Sequence, residues 1–227
     1  MVRLPLGYCI DTTEVSRSQY AAWLAMAPPA SAQDSWCTWN TTFVPSSSCM
    51  SQRYVCNTGS DSSGCDHEPQ ICVDWCDAYA YCKAVGKRLC GKIGGGANGF
   101  DDYASASASQ WYGACASGEA NNGYTYGNTY DATACIGSET APASSVGSHP
   151  RCQSPVTSYS GVYDLTGNVW EWEDSCSGNT GSTDSCRRRG GSFGGGMGDG
   201  GNQRCDGGSA LARDVSKVNV GFRCCAD

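Results

Sequence analysis

The stretch DLTGNVWE, residues 164–171, concentrates groups that can hold a hard cation. Calcium takes six to eight oxygens, usually carboxylates mixed with backbone carbonyls on a sharply turning loop. Asp164 and Glu171 can supply side-chain oxygens, and the carbonyls of Gly167 and Val169, two residues apart, face the same side of extended backbone. The competing reading is a tight turn whose tryptophans, Trp170 and Trp172, are core residues. Spacing alone leaves both open. The tract GGSFGGGMGDGG, residues 190–201, suggests a phosphate loop but lacks the G-K-[ST] ending and any helical pattern after it. It reads as a loop that brings backbone close to another segment or to a ligand. Only two histidines are present, His67 and His149, both in polar loops with no partner signal, so a Ser-His or Cys-His pair has no visible machinery. Cys65, His67, Cys72 and Cys76 do not have the spacing of a zinc finger.

Composition sets the frame in which such groups must be positioned. Leu, Ile, Val and Phe together make only 27 of 227 residues, and 17 cysteines, 7 tryptophans and 12 tyrosines supply the remaining cohesion. Cysteines spread from Cys9 to Cys225 without a C-x-x-C pair point to disulfides and an oxidising compartment. The odd count leaves at least one thiol outside intramolecular pairing. No run approaches 18 apolar residues, so no membrane span is expected. A net charge of -7 also argues against a nucleic-acid partner. The N-terminal MVRLPLGYCID has no basic and apolar leader pattern, and Met1 is read as the start of a chain whose leader has been removed. The expected location is secreted, periplasmic or cell-surface.

Two helices are predicted, both in the first ninety residues. SRSQYAAWLAMAPP opens with Ser16 and Gln19 in capping-box spacing, puts Tyr20, Trp23, Leu24 and Ala27 on one face, and stops at Pro28 and Pro29. VDWCDAYAYCKAVG has Asp74 as N-cap, a stripe of Trp75, Ala78, Tyr79 and Cys82, and Gly86 as its end. Short apolar runs at Val162–Tyr163, Val169–Trp172 and Val218–Phe222 suggest a little β structure. Residues 30–70 and 176–188 read as surface loops closed by local disulfides. With no repeat or linker, residues 1–227 are read as a single domain.

The blocks YCIDTTEVSRSQY, CVDWCDAYAYCKAVGKRL, VYDLTGNVWEW, RRRGGSF and NVGFRC occur in the order seen in the formylglycine-generating enzymes, or sulfatase-modifying-factor domains, which the chain resembles over nearly its whole length. The resemblance implies an α+β, modified C-type-lectin-like single domain with little regular structure, two helices and a small twisted antiparallel sheet. It implies a structural Ca²⁺ held by Asp164, Gly167, Val169 and Glu171. A second family calcium site is not expected, because Ile136 stands where an oxygen ligand is needed. Disulfides Cys82–Cys224 and Cys115–Cys205 are implied. The family's copper-binding cysteines fall on Gly195 and Gly200, so no copper is expected, although the groove residues Ser192 and Trp170 are retained. RLCGKIGGGANGFDDYASASASQW, with its extra Cys90, also departs from the family pattern.

The expected function is therefore a non-catalytic binding or structural module, secreted and held by calcium and disulfides. Tyr112, Tyr124, Tyr126, Trp170 and Phe193 are candidates to line its ligand groove, with a glycan, peptide or protein as ligand. Two alternatives stand beside it: a copper and O₂-dependent oxidase using displaced cysteines such as Cys205, and a self-assembling subunit of an extracellular structure.

Overall fold

A computed structural model describes residues 1–52, 55–56, 63–137, 142–194 and 203–227. Among them run β1 (Val2–Arg3), β2 (Cys9–Ile10), α1 (Arg17–Leu24), α2 (Ser47–Met50), α3 (Trp75–Ala84), β3 (Arg88–Leu89), α4 (Gln110–Cys115), β4 (Trp170–Cys176), β5 (Ser185–Arg189), β6 (Gly208–Ala212), β7 (Val220–Phe222) and β8 (Cys224–Ala226). Long irregular connections join them.

Both expected helices form. Ser16 and Gln19 make the reciprocal capping box of α1, which buries Tyr20 and Trp23 and ends at Leu24, before the prolines. Ala27 lies beyond the helix, exposed and at φ +50°. Asp74 caps α3 through a second capping box with Asp77. Trp75, Ala78 and Cys82 are buried as the stripe requires, while Tyr79 stays partly exposed and Tyr81 takes the core position. The short helices α2 and α4 are additions to the two-helix expectation, capped by Ser46 and Ser109.

The two capping carboxyls are buried. Burial pushes Asp74 up to about 7, and burial together with the Asp74 charge raises Asp77 well above the usual carboxylate range. The folded state therefore binds protons more tightly than the unfolded chain, so this pair loses stability as pH rises from about 4 through 7. We expect the unfolding midpoint to fall between pH 5 and pH 8. Asp74→Asn, which keeps the cap, should flatten that fall; parallel slopes in the two proteins would show that the pair is not its source.

The expected small antiparallel sheet is two four-stranded sheets. One has the order β1-β2-β8-β3, all antiparallel. The other, β6-β5-β4-β7, is antiparallel except where β4 runs parallel to β7, pairing Trp170 with Val220 and Trp172 with Phe222. Residues 176–188 are closed by Cys176–Cys186 as expected, but they are the ends of a strand pair rather than only a loop. Residues 30–70 are stapled by Cys56–Cys65 within the segment and to α3 and its approach by Cys37–Cys76 and Cys49–Cys72.

Eight disulfides use sixteen of the seventeen cysteines. Cys82–Cys224 and Cys115–Cys205 are both present, and Cys9 on β2 is the free thiol. Successive residues of a strand point to opposite faces, so Cys224 reaches Cys82 on α3 while Cys225 reaches Cys90. Strand β8 thereby joins two cores. One packs Tyr20, Trp23, Trp75, Tyr81, Trp172 and Phe222; the other packs Tyr8, Ile10, Trp111 and Leu165.

Candidate functional site

Strand β4 carries the opening residues of the site, and the loop before it turns sharply. Asp164, Gly167 and Asn168 have φ of +61°, +92° and +51°. Gly167 has a reason to be glycine beyond its φ: a Cβ there would lie 2.0 Å from the Ile136 carbonyl oxygen. Gly167 N–H donates to the Gly190 carbonyl at 2.8 Å, tying the loop to the glycine tract. Asn168 N–H donates to Ile136 O at 2.9 Å, and Phe193 N–H donates to Asn168 O at 2.8 Å.

Around this loop are three buried carboxylates and one guanidinium. Glu171 is fully enclosed; its Oε2 accepts from Arg223 Nε at 2.7 Å and Trp111 Nε1 at 2.9 Å, and its Oε1 accepts from Arg223 Nη2 at 2.7 Å. Asp164 Oδ2 accepts from Gly147 N–H at 2.6 Å. Glu14 is 1 % exposed; its Oε1 accepts from Asn168 Nδ2 at 2.9 Å, and its Oε2 has no hydrogen-bond partner among the described residues. Burial, followed by the Asp164 charge, holds the Glu14 carboxyl well above its usual range. Burial also raises Asp164, against the Gly147 hydrogen bond and Arg223. Both shifts favour the neutral acid, which is how a buried cluster with more carboxyls than cations limits its charge.

Whether calcium fits can be judged from the donors. A carboxylate oxygen accepts about two bonds, so Oε1 of Glu171, which takes one from Arg223, keeps room for a second. Arg223 thus orients Glu171 without exhausting it. The orphaned Glu14 oxygen is the one enclosed carboxyl oxygen beside this loop left without a partner among the described residues. Among the described residues no group of three or more His, Cys, Asp or Glu converges as a metal cage. Any cation here would lean on backbone carbonyls, and the positive φ of Gly167 and Asn168 means that those of Gly167 and Val169 are not related by the extended backbone expected of them.

The groove residues separate. Trp170 is buried under the Arg188 guanidinium, 4.6 Å from its ring centroid, and its N–H donates to Asn219 O at 2.9 Å. Ser192 is fully buried and its Oγ accepts from Asn219 Nδ2 at 2.9 Å, so Ser192 and Trp170 meet through Asn219. Phe193 packs in another cluster with Ile71 and Val169, and Tyr112 in the core around Trp111. Tyr124 stacks on Tyr126 at 5.4 Å on a loop of their own, where Tyr126, Asp131, Arg151 and Gln153 border a shallow polar depression. The five aromatic candidates do not share one groove. Gly195 and Gly200 lie outside the described residues.

The cysteines conceivable as zinc or displaced copper ligands are in disulfides. Cys65, Cys72 and Cys76 pair with Cys56, Cys49 and Cys37, and Cys205 with Cys115. Arg189 Nη2 further donates to the Cys205 carbonyl at 2.6 Å, while its Nη1 meets Glu173 at 3.1 Å in a second buried ion pair. Glu14, Trp111, Arg223 and the Glu173–Arg189 pair were not identified from the sequence; the only hint was that Glu14 and Arg223 stand inside the TTEV and GFRC blocks.

The pattern of the sulfatase-modifying factor enzyme 1-like domain matches residues 1–227. The chain belongs to that family. Among solved structures, this family member is similar to CarF, with 18 % identity and a TM-score of 0.63 over 96 % of this chain and 85 % of that one. PvdO from Pseudomonas aeruginosa has 19 % identity and a TM-score of 0.60 over 97 % and 80 %. Variable protein 1 of Treponema denticola has 19 % identity and a TM-score of 0.56 over 96 % and 84 %. Comparison with curated sequences gives no match. The likenesses establish the fold, a mixed α+β frame of the modified C-type-lectin-like kind. Eight disulfides are consistent with an extracellular or periplasmic setting, and no helix among the described residues is long and apolar enough to cross a membrane.

Proposed function

We propose that this protein is an exported, calcium- and disulfide-held module that binds a ligand on the formylglycine-generating scaffold without oxidising it. The observation that carries this reading is the state of the sulfurs. The family chemistry needs two thiolates beside Ser192 to hold Cu(I) and the substrate thiol. Here their positions are Gly195 and Gly200, and Cys205, the obvious substitute, is bonded to Cys115. Without that pair, the buried Ser192 and Trp170 are left with a structural role beneath the binding face. The ligand is a glycan, a peptide or a protein. The one free thiol, the partly exposed Cys9, favours a second reading in which the module is also a covalently joined subunit of an extracellular assembly.

Calcium at the Asp164–Glu171 loop would supply positive charge and fix the turn. Asp164 and Glu171 would offer side-chain oxygens and Gly167 and Val169 carbonyls; Arg223 and Trp111 hold Glu171 in place.

Both parts are tested on one preparation. With Cu(I), O₂ and a cysteine peptide bearing C-x-P-x-R, mass spectrometry should find no aldehyde, and formylglycine would overturn the binding reading. Chelator should lower the thermal midpoint by several degrees, since a ligand at 100 times its dissociation constant stabilises by about 2.7 kcal/mol. An unchanged midpoint would remove calcium from the loop.

A further inference from the structure

We infer that Arg188, lying over Trp170, is the anchor for a carboxylate on the ligand. This deepens the binding-module reading and rests on it.

Strand β5 carries three consecutive arginines, and the strand's alternation sends them to two faces. Arg187 packs on Phe100 and Tyr103 and lies 3.5 Å from Asp101; Arg189 meets Glu173. Two further core arginines, Arg213 and Arg223, meet Asp184 and Glu171. Arg188, on the opposite face, meets no carboxylate among the described residues. Among the described residues its one side-chain hydrogen bond is a long one from Nη2 to Ser209 Oγ at 3.4 Å, across the β5–β6 register. Burial pulls its pKa below the ordinary guanidinium value with no anion to offset the cost.

The way the guanidinium is held says what it can take. Its Nε is closed off from solvent with no acceptor, whereas Nη1, also without a partner among the described residues, is not among the enclosed atoms. The Trp170 ring covers one face of the guanidinium plane. What remains is the Nη1–Nη2 end, with Nη1 unpartnered among the described residues and Nη2 held only by the long Ser209 contact, a planar two-donor fork that matches the two oxygens of a carboxylate. A partly buried cation on an aromatic face gains more from such a pair than an exposed one does, because less water competes. The Trp170 backbone N–H donates to Asn219 O and Asn219 Nδ2 to Ser192 Oγ, so the tryptophan that carries Arg188 is two hydrogen bonds along the chain of contacts from Ser192.

The test uses the calcium-saturated protein with arginine Nε and tryptophan Nε1 resonances followed by NMR. The probes are N-acetyldiglycine, its C-terminal amide, methyl glucuronide and inorganic phosphate. We expect saturable shifts at Arg188 and Trp170 with either carboxylate, the tighter of the two naming a peptide or a sugar acid as the source, and none with the amide. Arg188→Gln should weaken carboxylate binding about tenfold or more, as expected for losing a charged hydrogen-bonded pair. Arg188→Lys, which keeps the charge and loses the fork, should fall between. Equal shifts with the amide, tighter binding of phosphate, or unchanged affinity in a folded Arg188→Gln or Arg188→Lys protein would each overturn the assignment. Aldehyde formation in the copper assay would remove the module reading and leave these titrations as they are, so the two failures are distinguishable.

Discussion

Replacing Arg223 by methionine is expected to destabilise the protein by about 3–5 kcal/mol, the usual cost of removing one partner of a buried ion pair. At this chain length that is a fall of about 10 °C or more in the unfolding midpoint. The guanidinium is completely buried between β7 and β8 and does four things: it donates twice to Glu171 and once each to the carbonyls of Asp11 and Tyr163. Its charge also acts on Glu14 and Asp164. The predicted asymmetry is the sharper test. Glu171→Gln leaves the guanidinium beside Glu14 and Asp164, either of which can balance it by ionising, whereas Arg223→Met leaves Glu171 buried without its guanidinium partner. The arginine variant should therefore be the less stable of the two by calorimetry. Equal losses would mean that the pair acts as an isolated bridge and that Glu14 and Asp164 do not feel it.

The second large effect belongs to Cys82–Cys224. Its loop of 142 residues is the longest that any of the disulfides closes. Chain entropy assigns a bond of that span roughly 4–5 kcal/mol as an upper figure, so the double variant Cys82→Ala, Cys224→Ala should lose on the order of 10 °C in midpoint. Cys56–Cys65, which spans only 9 residues, should cost less when removed in the same way. If both variants melt alike, the stabilisation comes from local packing of the sulfurs rather than from shortening the unfolded chain.

Much of the fold's local grammar was legible because it depends on neighbours in sequence. The capping boxes at Ser16 and Asp74 involve residues three apart, and side chain, helix start and buried stripe all agree there. Helix α4 was missed although Ser109 caps it, because the Ala- and Ser-rich approach ASASASQW hides its short stripe of Trp111, Tyr112 and Cys115. The parallel pairing of Trp170 with Val220 joins residues fifty apart and leaves no mark in either run. Disulfide partners show the same division. Spacing cannot select among the many pairings that seventeen cysteines allow, and the two bonds expected came from resemblance to a family rather than from geometry. At the site, Asp164, Gly167 and Glu171 stood out through their own crowding. Their environment did not: Glu14 and Arg223 arrive from opposite ends of the chain, and a buried charge balance becomes visible only when all its members are in place.

The position of β8 has a consequence in time. Residues 224–226 form an interior strand of the first sheet, flanked by β2 and β3, and Cys224 and Cys225 close the two longest loops. No nascent fragment that stops short of them can finish that sheet or seal either half of the molecule to the other. The other six disulfides can close earlier, but Cys82 and Cys90 must wait as thiols for this tripeptide, each open to the wrong partner until it arrives.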